Sequence, residues 1–171
     1  MEERSGIITM HGNPLTLLGN ELKVGDKAPD VELSDNDLNP VKISAYLGKV
    51  CVISTVPSLD TPVCDMETRR FNQEGANLGD GIVILTVSVD LPFAQKRWCG
   101  AAGVDRVVTL SDYRETAFGE AYGVLIKELR LLARTIFVVD PDGIVQYIQN
   151  VQELSEEPDY EAVINAVKKL I

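Results

Sequence analysis

The residues best placed for chemistry are a threonine and a cysteine three positions apart, in the run Pro57-Ser58-Leu59-Asp60-Thr61-Pro62-Val63-Cys64. The run follows an apolar strand and opens an amphipathic helix. The Cys64 thiol therefore meets the partial positive charge and the unpaired backbone N–H groups of a helix N-terminus. Both favour thiolate over thiol, and the thiolate is the nucleophile. By position alone Cys64 also fits a small buried apolar residue, the usual place of a free cysteine. The Thr61 hydroxyl both donates and accepts, which suits it to a thiolate and its electrophile as well as to capping a helix. Pro57 and Pro62 restrict the backbone on either side of the loop.

The fuller run PSLDTPVCDMETRRFN contains P-x-x-x-T-x-x-C and closely resembles the active-site signature of the peroxiredoxins, in their thiol peroxidase branch. With ITMHGNPLTLLGN, RWCGAAG and LLARTIFVVD the likeness runs nearly end to end. The resemblance implies an antioxidant thiol peroxidase that reduces hydrogen peroxide and organic hydroperoxides through a sulfenic acid on Cys64. It makes Thr61 the residue that orients the peroxide and Pro57 one that shields the sulfur from water. It also implies an arginine from a distant strand beside the thiolate, and Arg134 occupies the matching position. An arginine there is costly to bury without a partner, and its fixed fork suits a thiolate and a peroxide together. Arg130 is the rival and reads as surface, while Arg69 and Arg70 read as a solvated helix face.

A sulfenic acid must be resolved before it is oxidised further. Cys99 lies 35 residues on (99 − 64), in RWCGAAG, where this branch carries its second cysteine. The resemblance thus implies an intramolecular Cys64–Cys99 disulfide, recycled by thioredoxin, in a protein of homodimeric habit. A disulfide needs Cα atoms roughly 4.4–6.8 Å apart. Two cysteines on separate helices are expected to reach that only by local unwinding, which Gly100 and Gly103 would ease. Cys51 sits inside an apolar strand, some 16 Å below Val56 at about 3.3 Å per residue, and reads as core. Two other classes remain. A thioredoxin-like disulfide reductase is weakened by the lack of C-x-x-C, and a non-enzymatic redox sensor could use the same cysteine pair.

The elements that must hold these residues follow from hydrophobic patterning. Ile7–Met10 and Leu15–Leu18 flank His11-Gly12-Asn13-Pro14, which predicts a β-hairpin within residues 1–20. A short strand near Val31–Leu33 is expected to pair with Val41–Ile43 across a polar turn. Val50–Val56 and Ile82–Val89 are apolar enough for strands buried on both faces. Cys64–Leu78 predicts a helix, as does the stretch from Asp90 and Pro92 toward Cys99, with an end at Gly100 and Gly103. Val107–Leu110 predicts a strand and Glu115–Tyr122 a short helix. Leu131–Val139 and Ile144–Gln149 predict strands joined at Asp140-Pro141-Asp142-Gly143, and Pro158-Asp159 opens a last helix. This order implies one α/β domain over 1–171 with helices on both faces. It is similar to the thioredoxin fold in its peroxiredoxin variant, with the N-terminal hairpin as an extension.

Composition bounds the rest. The 171 residues are 45% hydrophobic with a net charge of −10, which argues against nucleic acid or an anionic membrane as partner. The start MEERSGIITM has no long apolar stretch and no run reaches membrane-spanning length, so a cytoplasmic protein is expected. Three cysteines without close pairing do not resemble a secreted disulfide framework. His11 is the only histidine, too little for a metal centre or a Cys–His hydrolase. No glycine signature for a nucleotide is present, so no cofactor and no metal are expected.

Overall fold

The computed structural model describes residues 1–171. In chain order the elements are β1 (Glu3–Met10), β2 (Asn13–Leu18), β3 (Glu32–Ser34), β4 (Pro40–Lys42), a 3-10 turn (Ile43–Tyr46), β5 (Val50–Thr55), α1 (Pro62–Leu78), β6 (Ile82–Ser88), α2 (Pro92–Ala102), β7 (Val107–Ser111), α3 (Ala117–Ala121), β8 (Leu125–Ile126), β9 (Thr135–Val139), β10 (Val145–Asn150) and α4 (Tyr160–Lys168). Seven strands form one mixed sheet in the order β10-β9-β5-β6-β7-β3-β4, and β1-β2-β8 form a second, smaller one.

The centre of the large sheet is parallel: β5 pairs with β6 and β6 with β7. Parallel neighbours need crossovers, and right-handed crossovers in one direction put both connecting helices on one face. Side-chain alternation agrees with this. Val52, Ile84, Ile136 and Val138 pack with Phe71 of α1 and with Val163 and Val167 of α4. Their neighbours Cys51, Ile53, Leu85 and Phe137 point the other way, against Phe118 and Tyr122 around α3 and the leucines of β2. Both faces are therefore covered, which is why β5, β6 and β9 read as nearly unbroken apolar runs.

Several expectations about element limits are corrected. The helix through Cys99 does not stop at Gly100 but continues to Ala102 and ends at Gly103, in the left-handed conformation that glycine adopts without penalty. Asp90 does not cap that helix, since the N-cap is Leu91, with Pro92 at the first helical position. The strand expected from Leu131 begins only at Thr135, because Leu132 bridges to Leu125 in the small sheet instead. Leu125 belongs to β8, which patterning does not reveal, since two residues are too few to show a period. The hairpin turns at His11 and Gly12, with φ of 50° and 82°.

Candidate active site

Cys64 is the third residue of α1, after Pro62 and Val63, with Thr61 as the extended N-cap. Its backbone N–H belongs to the first turn, where no intrahelical acceptor exists. The side chain is fully buried, in a small apolar cluster with Val56, Leu59 and Trp98. Arg134 is 2% exposed, directly before β9, and its Nη1 donates to Cys64 Sγ at 3.2 Å. A guanidinium offers only donors and never gives up its charge, so the sulfur is the acceptor, and a thiolate is the better one. The Arg134 Nε and Nη2 groups both donate to the Leu154 carbonyl, at 3.2 and 2.8 Å. Thr55, at the end of β5, fixes the backbone on both sides of this arginine. Its hydroxyl donates to Ala133 O at 2.6 Å and accepts from Thr135 N at 3.2 Å.

Glu67 also reaches this cluster. It is fully buried, with Oε2 3.8 Å from Arg134 Nη1 and accepting from Ser54 Oγ at 3.1 Å. Burial outweighs the downward pull of Arg134 and Ser54 and leaves its carboxyl raised to about 7. Its Oε1 has no hydrogen-bond partner, a deficit that costs a carboxylate more than a carboxylic acid. Nothing in the motif singles out Glu67, which stands two residues before Arg69. The signal that could have found it is the spacing Cys64, Glu67, Phe71, Gly75, all buried on one stripe of α1.

The loop before α1 is held from β6 and the start of α2. Asp90 accepts from Ser58 Oγ at 2.6 Å and from Leu59 N at 2.8 Å through its two oxygens, and from Ser88 Oγ at 2.8 Å. Pro57 is buried at the head of this loop. The Thr61 hydroxyl donates to Ser58 O at 2.8 Å rather than to the sulfur, and it does not cap the helix. Its lone pairs stay free to accept a further hydrogen bond.

Cys99 lies apart from Cys64 on α2, half-buried, with Sγ 3.3 Å from Thr109 Oγ1. Thr109 donates to Asn36 Oδ1 at 2.9 Å, so the thiol is the donor to Thr109. Trp98 Nε1 donates to Asp65 at 2.8 Å, tying the residue before Cys99 to the residue after Cys64. The partner of Cys99 is thus on β7 and that of Cys64 at the head of β9, and these two strands stand three strand spacings apart in the sheet, roughly 14 Å. All three cysteines are free thiols. Cys51 is fully enclosed, and burial pushes its thiol up to about 12. Arg130 is exposed and bonds Thr116, and Arg69 and Arg70 form exposed pairs with Asp65 and Glu74. No group of three or more His, Cys, Asp or Glu converges as a metal site would.

Comparison with known proteins agrees with this geometry. The Redoxin family profile matches residues 23–164. The thiol peroxidase of Halalkalibacterium halodurans is 59% identical over 161 residues, covering 94% of this chain and 96% of that protein. That of Bacillus subtilis is 55% identical over 164 residues, covering 96% and 98%. Among solved structures, a peroxiredoxin-like protein from Aquifex aeolicus superposes with a TM-score of 0.91 at 45% identity over the whole of both chains. A thiol peroxidase from Chromobacterium violaceum, at 20% identity, shares the fold with a TM-score of 0.85 over 95% of each chain. The chain belongs to the Redoxin family and, within it, to the thiol peroxidases, enzymes of the peroxiredoxin type on a thioredoxin-like α/β fold.

Proposed function

We propose that Cys64 is the peroxidatic thiol and Cys99 the resolving one. The Cys64 thiolate attacks one oxygen of a hydroperoxide, the O–O bond breaks, and the second oxygen leaves as alkoxide or hydroxide and takes up a proton. Sulfur is oxidised by two electrons to the sulfenic acid and the peroxide is reduced by two. Arg134 holds the thiolate and stabilises charge on the departing oxygen, Thr61 orients the peroxide, and Pro57 keeps water from the sulfur. Cys99 then gives up its thiol proton and attacks the sulfenic sulfur, the hydroxide expelled takes up a proton and leaves as water, and a Cys64–Cys99 disulfide forms within one chain. An external dithiol reduces it by exchange. The observation that carries this reading is the Arg134 N–H on the buried Cys64 sulfur at 3.2 Å.

Thioredoxin as the reductant, a homodimer as the working unit and the cytoplasm as the location rest on family likeness alone. No helix of the protein is long and apolar enough to cross a membrane. The deciding experiment is peptide mass mapping after one equivalent of a small organic hydroperoxide is added to reduced protein. A Cys64–Cys99 cross-link within one chain is the expected product. A link between chains would overturn the resolving role of Cys99 as stated, and an untouched Cys64 would overturn the site.

A further inference from the structure

Arg134 is aimed by a carbonyl that belongs to no regular element. Two of its N–H groups share Leu154 O, which fixes the rotation of the guanidinium plane and so the direction of Nη1 toward Cys64. Leu154 lies in the connection between β10 and α4. That connection is bound at its start to Arg134 itself, through Val151 N on Arg134 O at 3.0 Å. Beyond that point its backbone partner is the N-terminal hairpin. Thr9 N donates to Gln152 O at 2.7 Å, and Leu154 N donates to Thr9 O at 2.9 Å. The carbonyl that seats the arginine is one peptide away from a bond to β1.

Glu153 closes this arrangement with its side chain. Oε1 accepts from Thr9 Oγ1 at 3.0 Å and from Gly12 N at 2.9 Å, both in the hairpin. Oε2 accepts from Ser155 N at 3.0 Å and Ser155 Oγ at 2.9 Å, on the far side of Leu154. One carboxylate therefore joins the hairpin turn to both flanks of the arginine's seat. The four donors hold its carboxyl down at about 2, and none of the four is a cation.

We infer that Glu153 is a positioning residue for the peroxidase reaction, clamping the N-terminal hairpin to the loop whose Leu154 carbonyl directs Arg134 onto Cys64. The inference rests on the roles proposed above for Cys64 and Arg134. It also gives the hairpin a part in the chemistry, although none of its bonds touches the sulfur. A guanidinium turned by a fraction of an ångström keeps its charge near the thiolate but loses the line of its N–H, and misplacement on that scale is costly to rate.

The test uses full-length reduced protein and cumene hydroperoxide, with variants Glu153→Ala and Thr9→Val alone and each combined with Arg134→Lys. In the parent background Glu153→Ala is expected to lower the second-order rate with peroxide about tenfold and to move the acid limb of the pH–rate profile upward. With Arg134→Lys in place the fork is gone, so Glu153→Ala should change neither further, a coupling that additive structural damage would not show. Equal fold-losses in both backgrounds, or an unchanged rate in folded Glu153→Ala, would overturn the inference. Should Glu153→Ala not fold, Thr9→Val carries the same comparison with a loss of about threefold, since it removes one of the four donors. Peroxide turnover by Cys64→Ser would instead overturn the proposed function, and leaves these outcomes distinct.

Discussion

At Cys64 two physical demands compete, since burial disfavours an anion and Arg134 favours one. Glu67 decides how much of Arg134 the sulfur receives. An ionised Glu67 divides the guanidinium's charge with the thiolate, whereas a neutral one leaves it to the sulfur. The Glu67 carboxyl is lifted to about 7 from an ordinary 4.5. Between these values the folded protein keeps a proton that the unfolded chain releases. Stability from this group is therefore complete below about pH 4.5 and is lost as the pH rises through about 7. Glu67→Gln keeps an oxygen for Ser54 and cannot ionise. Thermal melts of the reduced variant should vary less with pH across that window than those of the parent, and the variant should melt higher above pH 7. An unchanged slope would mean that Glu67 is already ionised in the folded protein. Asp112, lifted to about 6 by burial, supplies slope that the variant retains. The place of Cys64 and Thr61 at the entrance to α1 was legible in the sequence from their types and spacing, whereas Cys99 and Arg134 stood out only through likeness over the whole chain. Glu67, Thr55 and Leu154 did not stand out. A glutamate among arginines on a helix looks solvated, a strand threonine looks like β-propensity, and a carbonyl has no letter of its own.

Two helices, α1 and α2, carry Cys64 and Cys99, and their packing is what the proposed disulfide would have to undo. The Asp65–Trp98 bond at 2.8 Å and the Asp90 contacts to Ser58 and Leu59 hold α1 and its loop against α2 and β6. Arg69 adds a stack on the Trp98 ring at 5.7 Å and a bond to Ala102 O at 3.3 Å. Opening these contacts lets both helix ends unwind. Trp98→Phe keeps an aromatic ring and removes one hydrogen bond to a charged acceptor, worth about 1.5 kcal/mol, or roughly tenfold in the opening equilibrium. We expect faster amide exchange at the start of α1 in the reduced variant and less sulfinic acid on Cys64 at high peroxide, because resolution competes better with over-oxidation. Exchange and sulfinic yield matching the parent would show that the indole bond does not gate the step. Sequence patterning located both helices and named Gly103 at the end of α2, but it also placed Gly100 there, because a glycine inside a helix and one beyond it look alike. Only the second has positive φ here: Gly103, at 68°.

The proposed cycle gives the whole molecule two covalent forms, and their relative stability measures what the cycle costs the fold. A Cys64–Cys99 bond closes a loop of about 35 residues, which in the chain-entropy account stabilises the folded state by about 4 kcal/mol. For a chain of this size that alone would raise the melting temperature by about 8–16 °C. Against it stands the loss of the cluster formed by Val56, Leu59, Cys64 and Trp98, together with the hydrogen bonds of both helix ends. Exposing two such apolar side chains costs about 3–6 kcal/mol, already enough to offset the cross-link. The sheet beneath is not involved. Cys51 and its neighbours in β5 pair on both sides, with β6 and with β9, and none of these pairings involves Cys64 or Cys99. Calorimetry of the reduced protein and of the peroxide-oxidised protein should therefore give melting temperatures within a few degrees of each other. A gain of 10 °C or more on oxidation would mean that the disulfide forms with the helices still packed. Trp98 would then have no reason to move, and the separation of the two sulfurs' partners across the sheet would have to be bridged some other way.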